Sequence, residues 1–365
     1  MQDQDVTRAE RWAATMAGQR LAPGVRQAHA GGETVAVGSF VVLDREAREA
    51  AEHAALASGA TRASGAGQRA RPEAADPWRT CFERDRDRIL HSTAFRRLAG
   101  KTQVFIFPAD HQRTRLTHAL EVAQVATAIA RACRLNGALV EAIALGHDCG
   151  HGPGGHASED ALGMFVPGFD HAVWGADVTA APLNLCRETV DGIRNHSWSR
   201  PSPATPEGQV VGLADRVAYC AHDLEDAVHA GVVRPGDVPV EISGWCGPTR
   251  STQLRAFITD VVETTAATGR VSLSEGAAEA LASLRRFNHE RIYLRPESRT
   301  QAQAVISMLR ALVEHYVAHP DAPSDDPLQA AVAYVDGMTD RFACAQAVAL
   351  LDWPADRLPR GLDLS

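Results

Sequence analysis

Lysine is all but missing from this 365-residue chain: its 37 basic residues are all arginine except Lys101. A coding bias explains the arginines. The exception marks either a task that suits a compact ammonium and not a planar guanidinium, or a chance survivor. An excess of positive charge is missing too. The formal net charge is −8, which excludes a global field recruiting nucleic acid or an anionic membrane. An anionic ligand therefore needs a local basic pocket or a metal. The seven cysteines are odd in number and no CxxC spacing occurs, which argues against a disulfide framework or a Cys-rich zinc site and for reduced thiols. No apolar run approaches the length of a membrane span. Residues 1–10 are polar with no apolar core behind them, so no signal peptide is expected and the cytoplasm is the predicted location.

What is present is an ordinary globular balance of 45% hydrophobic and 22% charged residues, with length for one large domain or two smaller ones. Residues 1–75 are rich in Ala, Gly and Arg and read as an N-terminal extension, partly flexible. Within it, Glu33–Leu43 is β-branched and predicts a strand or hairpin arm, and Arg45–Leu56 is alanine-rich and predicts a short helix. From Arg79 onward helical patterns dominate. They cover Arg84–Leu98, Thr117–Leu135, Ala138–Leu145, Val210–Ala230, Gln303–His319 and Ala330–Leu351, with Gly231–Pro248 irregular between them. No internal repeat and no strand–helix alternation occurs, so the fold class is mostly α with a small N-terminal β element.

The chemistry concentrates in His147-Asp148-Cys149-Gly150-His151-Gly152-Pro153-Gly154-Gly155-His156. An adjacent His-Asp pair offers an imidazole and a carboxylate to one ion, and two further imidazoles follow for proton transfer or phosphate contact. A catalytic metal needs more ligands than two. His118, just before an apolar helix, and Asp215, early on another, complete a His₂Asp₂ set with His147 and Asp148. Mixed nitrogen and oxygen ligands suit Mg, Mn, Co, Ni, Fe or Zn without choosing among them. Taken singly, each of these residues is as readily a helix-end or surface residue. Their combination points to a metal, as do the six of the fifteen histidines that fall between His111 and His171. Asp215, Tyr219 and Asp223 stand at i, i+4 and i+8 on one helical face, which suits a sugar ring and equally an ordinary polar face. Arg96, Arg97, Lys101, Arg113 and Arg115 precede His118 with no acidic neighbour in sequence and are phosphate candidates. The alternating charges of Arg84–Arg88 read instead as a salt-bridged face.

These residues also carry a resemblance. Arg84-Asp-Arg-Asp-Arg-Ile-Leu-His-Ser92, Phe95-Arg-Arg-Leu98, Lys101-Thr-Gln-Val-Phe105, Arg113-Thr-Arg-Leu-Thr-His118 and His147-Asp-Cys-Gly-His151 resemble the deoxyguanosinetriphosphate triphosphohydrolase-like family of the HD-domain superfamily. Pro182-Leu-Asn-Leu185, Ala221-His-Asp-Leu-Glu-Asp226 and Gly337-Met-Thr-Asp-Arg-Phe-Ala343 continue the match in order. The resemblance implies an HD-domain helical core over 76–345, with its metal site within 111–230, and a C-terminal tail over 346–365. It implies cleavage of deoxynucleoside triphosphates (dNTPs) to deoxynucleoside and inorganic triphosphate, a divalent metal cofactor, a homo-oligomer and an allosteric dNTP as a further partner.

By the same resemblance His118, His147, Asp148 and Asp215 are the metal ligands. His156 is the catalytic histidine supported by Glu159, and His151 and His171 contact phosphate. Arg115 meets the α-phosphate or the metal site. Tyr219 and Asp223 read the deoxyribose, Tyr293 is an aromatic on the base or sugar side, and Arg285 touches phosphate. The chain departs from the family pattern at Pro153-Gly154-Gly155-His156, where an aromatic is lost and a more mobile loop is expected. It departs again at Phe169-Asp170-His171-Ala172-Val173-Trp174, where substrate contacts change. Two other activities fit the same residues less fully: another HD-type nucleotidase or phosphodiesterase, and a weakly catalytic dNTP sensor.

Overall fold

The computed structural model describes residues 7–29, 38, 41–108, 111–320 and 322–361. Contacts divide the chain into Met1–Leu43 and Asp44–Ser365. The first unit holds helix α1 (Arg8–Thr15), started by a reciprocal Thr7–Glu10 capping box, and a hairpin of strands β1 (Gln19–Ala22) and β2 (Val25–Gln27). The hairpin turns at Pro23-Gly24, where Gly24 has φ +75°, and pairs Gln19 with Gln27 and Arg20 with Arg26. It is the only sheet among the described residues. The strand expected over Glu33–Leu43 lies largely outside the described residues; 41–43 are irregular.

The second unit is helical. It runs α2 (Arg45–Ala55), α3 (Cys81–His91), α4 (Thr93–Arg97), α5 (Arg115–Ala132), α6 (Gly137–Gly146), α7 (His156–Leu162), α8 (His171–Trp174), α9 (Arg187–Asn195), α10 (Pro206–His229), α11 (Val240–Cys246), α12 (Arg250–Thr268), α13 (Glu275–Asn288), α14 (Pro296–Ala318), α15 (Pro327–Asp336) and α16 (Asp340–Leu351). The mostly α reading holds. Its errors are local. The stretch read as one helix over Arg84–Leu98 breaks at Ser92, whose hydroxyl caps α4 through the Phe95 N–H. Ala330–Leu351 breaks at Gly337-Met338-Thr339 into α15 and α16. The irregular Gly231–Pro248 contains α11.

Residues 44–75, read from sequence with the extension, pack on the helical body. Glu52 accepts from Ala63 N–H and Asn136 Nδ2, and Arg69 pairs with the buried Asp85 at 2.6 Å. Their low hydrophobicity hid this: only small apolar residues, such as Ala60 and Ala63, are buried there beside the polar bonds. The proposed tail begins inside α16 and not after it.

Three apolar clusters build the core, and α6 is the axis of the first. Its sequence, GALVEAIALG, is hydrophobic almost all round, and Leu139, Val140, Ala142, Ile143, Ala144 and Leu145 are buried. It is enclosed by α3, α5, α9 and α10. Close approach to α9 depends on Gly192, where a Cβ would stand 2.3 Å from Ile143 Cδ1. This buried rod ends at His147. The second cluster joins α7 to α14, α15 and α16, and the third packs α10 with α11, α12 and α13. A cavity opens where the clusters meet.

Candidate active site

Three elements deliver the four proposed metal ligands. The end of α6 presents His147 and Asp148, the first turn of α5 presents His118, and α10 presents Asp215. His147 folds its Nδ1–H back onto the Ala144 carbonyl at 2.7 Å, which leaves Nε2 as the lone-pair nitrogen, and that atom has no hydrogen-bond partner. It stands 3.4 Å from Asp148 Oδ1 and 3.6 Å from Asp215 Oδ1. His118 Nε2 stands 3.0 Å from Asp215 Oδ1 and 3.8 Å from Asp148 Oδ2. Burial works against charge on His147, but Asp148 and Asp215 overcome it and raise its pKa to about 9. A site that draws a proton this strongly draws a cation for the same reason. Convergent N and O donors, an unpartnered buried lone pair and two carboxylates fit a divalent metal ion.

Around this centre lie the other predicted residues. Arg115, which lines the cavity, is 2% exposed and donates to Asp148 Oδ2 at 2.6 Å, while its buried Nε and Nη2 have no hydrogen-bond partner. His151 and His171 stack at 3.7 Å between ring centres. His156 stands open to the cavity, with Nδ1 2.8 Å from Glu159 Oε1. The same carboxylate oxygen takes His171 Nδ1 at 3.2 Å, so Glu159 orients two imidazoles and not only one. Burial opposes the charge on Glu159, yet its bonds to His156 and His171 hold the carboxyl below the usual range. Farther along α10, Tyr219 OH accepts from Arg285 Nε at 2.9 Å, and Tyr293 OH donates to Asp223 Oδ2 at 2.5 Å. Tyr293 sits on a π-helical turn, His289–Tyr293, that continues α13 and swings the phenol toward α10.

Burial pushes the Asp223 carboxyl up to about 7, with the Tyr293 hydrogen bond opposing. The ordinary value is 3.8, so the folded state holds a proton that the unfolded chain has lost between these values. Stability from this group is full below about pH 4 and falls as pH rises through 7. Asp223→Asn is therefore expected to gain on the wild type between pH 5 and pH 8, by roughly 1–3 kcal/mol. Chelator-treated melting curves read the difference, and a gap that stays constant with pH refutes the buried-proton account.

Two phosphate candidates are misplaced. Arg97 is exposed, donates to the Gly337 carbonyl at 3.0 Å and does not line the cavity. Lys101 is 2% exposed and turns inward. Its ammonium donates to the carbonyls of His151 and Asp336, the latter at 2.8 Å. Arg113, also offered from sequence, is bound by Glu121, Glu225 and Asp226. The short run before His118 is split by a β-bridge, Thr102 to Thr114, so its basic residues diverge.

The glycine pair before His156 is pinned. Gly154 and Gly155 have φ +76° and +64°. The Gly154 N–H donates to Asp340 Oδ1 at 2.8 Å, and a Cβ on Gly155 would stand 2.9 Å from Arg115 Nη2. The positions need glycine's backbone range, and α16 holds them in place.

Sequence reasoning missed His196. It follows α9, is 3% exposed and donates Nδ1–H to the Ile193 carbonyl at 2.7 Å, the same three-residue fold-back that His147 makes at the end of α6. Its ring lies 4.9 Å from that of His147. A lone histidine ending a helix gives no signal by itself. Trp198 and Arg216 were missed as well; they line the cavity with the guanidinium 3.8 Å over the indole.

Fold and site together define an HD-domain phosphohydrolase. The HD domain family matches residues 115–220, and the phosphohydrolase-associated domain matches 271–348. A deoxyguanosinetriphosphate triphosphohydrolase-like protein of Caldanaerobacter subterraneus subsp. tengcongensis is 39% identical over 316 residues, 82% of this chain and 93% of its own. One of Clostridium perfringens (strain 13 / Type A), of the same description, is 40% identical over 299 residues, 75% of this chain and 87% of its own. The chain belongs to the deoxyguanosinetriphosphate triphosphohydrolase-like family.

Proposed function

We propose that this chain hydrolyses deoxynucleoside triphosphates to deoxynucleoside and inorganic triphosphate, using a divalent metal held by His118, His147, Asp148 and Asp215. The observation that carries this reading is the wall formed by α10. Asp215, Tyr219 and Asp223 follow at successive turns, leading from the metal residues to the Tyr219–Arg285 and Asp223–Tyr293 pairs inside one cavity of about 660 Å³. A phosphate at one end and a pentose at the other suit such a wall. When bound, the metal would polarise the α-phosphate and acidify a water.

The chain's own groups do the rest. Arg115 places positive charge beside Asp148, where the α-phosphate meets the metal residues. Water adds to the α-phosphorus as its bond to the 5′-oxygen breaks, and His156, its Nδ1–H fixed on Glu159 and its ring in the cavity, gives a proton to that departing oxygen. Tyr219 and Asp223 occupy the space that a 2′-hydroxyl requires. His151 and His171 hold phosphate oxygens. Homo-oligomer formation, an allosteric dNTP and a cytoplasmic setting belong to the same reading through the family resemblance. No described helix is long and apolar enough to cross a membrane.

The test is product analysis with each dNTP, alone and mixed, across Mg²⁺, Mn²⁺ and Co²⁺. Inorganic triphosphate with an equal amount of deoxynucleoside is expected. Orthophosphate release would replace this reading with a nucleotidase. Measurable dNTP binding with no product in any mixture would replace it with a sensor.

A further inference from the structure

Two cysteines far apart in sequence meet away from the proposed active site. Cys81 is the first residue of α3, and Cys186 immediately precedes α9. The segment carrying Gly67 and Arg69 lies against both. Arg69 pairs with Cys186 in an antiparallel bridge and donates Nη2–H to the Cys81 carbonyl at 3.0 Å. Asp85, one turn along α3, accepts the Cys186 N–H at 2.8 Å and the Thr189 hydroxyl at 2.7 Å. The starts of α3 and α9 are thus fixed against each other, and the two thiols fill the space between. A Cβ on Gly67 would stand 2.5 Å from Cys81 Sγ and 3.5 Å from Cys186 Sγ, so both sulfurs crowd one point that only glycine leaves free. The Cys186 sulfur also lies 3.8 Å from the Cys81 carbonyl. Contact with the Cys81 thiol, and after it burial, push the Cys186 thiol above its ordinary range. Access separates the pair: Cys81 is half-buried and Cys186 is fully buried.

We propose that Cys81 and Cys186 form a peroxide-sensitive dithiol that closes to a disulfide between α3 and α9. Hydrogen peroxide reaches Cys81 first, because that thiol is the accessible one. The Cys81 sulfur attacks one peroxide oxygen as the O–O bond breaks, giving a sulfenic acid and one water. The Cys186 sulfur then attacks the Cys81 sulfur. The S–S bond forms, the S–O bond breaks, and hydroxide leaves with the Cys186 proton as a second water. Two thiols are oxidised and one peroxide is reduced, and a dithiol reductant reverses the change. Both α3 and α9 pack on α6, so the bridge fastens together two helices that enclose the buried rod ending at His147.

The test needs no substrate, so it stands apart from the dNTP reading. The full chain is treated with hydrogen peroxide, quenched with catalase, unfolded in N-ethylmaleimide and digested without reductant for mass spectrometry. One peptide pair joined through Cys81 and Cys186 is expected. Labelled cysteines should fall from the seven of the sequence to five, and dithiothreitol should restore all seven. The bridged chain is expected to melt at a higher temperature, because closing a loop of roughly 100 residues restricts the unfolded chain. Cys81→Ser should give no joined peptide and keep its six cysteines labelled. Because Cys186 is buried, Cys186→Ala is treated in parallel with the same expectation, and both variants are checked for a wild-type circular dichroism spectrum. Seven labelled cysteines after peroxide overturn the proposal, as does Cys81 carried on to sulfinic acid with Cys186 still labelled. A bridge joining other cysteines does the same. So does a Cys81–Cys186 bridge that lowers the melting temperature, since that bond would be forced on the fold.

Discussion

Replacing His156 with alanine is expected to lower triphosphate release by roughly 10²–10⁴-fold, the usual worth of a positioned proton donor, while metal content and dNTP binding stay at wild-type levels. The split between these readouts follows from position. His156 belongs to neither the His118/His147/Asp148 group nor the His147/His196/Asp215 group. Its side chain is 77% exposed within the cavity, so its loss leaves no packing void. What disappears is the imidazole that Glu159 holds at 2.8 Å. Glu159→Gln is the milder companion: the ring stays, but its orientation and basicity loosen, and the same carboxylate also releases His171. Turnover of His156→Ala at the wild-type rate would remove the acid from this residue. A combined loss of metal would make it structural.

The second large effect is expected at Lys101. Lys101→Met should destabilise the fold by roughly 3–5 kcal/mol, the range for removing one partner of a buried charged cluster. The ammonium lies on the His151 and Asp336 carbonyls with Asp336 and Asp340 around it; burial pushes its pKa down and those carboxylates oppose the shift. Without it two buried carbonyls lose their donor. Lys101→Arg is not expected to rescue, since a planar guanidinium does not fit a pocket shaped for a tetrahedral ammonium. Denaturant unfolding of the metal-free protein reads both. A Lys101→Met variant within 1 kcal/mol of wild type would return this residue to the status of a chance survivor.

Lys101 also shows how sequence reading succeeds and fails here. Its rarity was visible; the direction it faces was not. Standing beside Arg96 and Arg97 it read as a phosphate contact, whereas its ammonium lies on the carbonyls of His151 and Asp336, partners far away in sequence. The HD pair was legible as candidate ligands because adjacency puts an imidazole and a carboxylate together, and α6 was legible because its residues are apolar on nearly every side. His118 and Asp215 followed from helix patterns and the family resemblance. His196 was not legible, because a histidine after a helix becomes informative only when His147 and His171 are seen to converge on it. The breaks at Ser92 and at Gly337-Met338-Thr339 interrupt stretches whose hydrophobic periodicity continues across them, so periodicity alone merged the helices.

The loop from Gly150 to His156 lies inside the HD match, but its fastenings do not. Gly154 N–H and Thr102 Oγ1 both end on Asp340, and Lys101 joins the His151 carbonyl to that of Asp336; Asp336 and Asp340 lie in the phosphohydrolase-associated match. The two matched segments are thus separate in the chain and a single piece of machinery in space. Recombining either with a foreign counterpart would break hydrogen bonds in the loop that leads into His156. A change at Asp340 would remove the acceptor of both the Gly154 N–H and Thr102 Oγ1, so the two segments are expected to descend together.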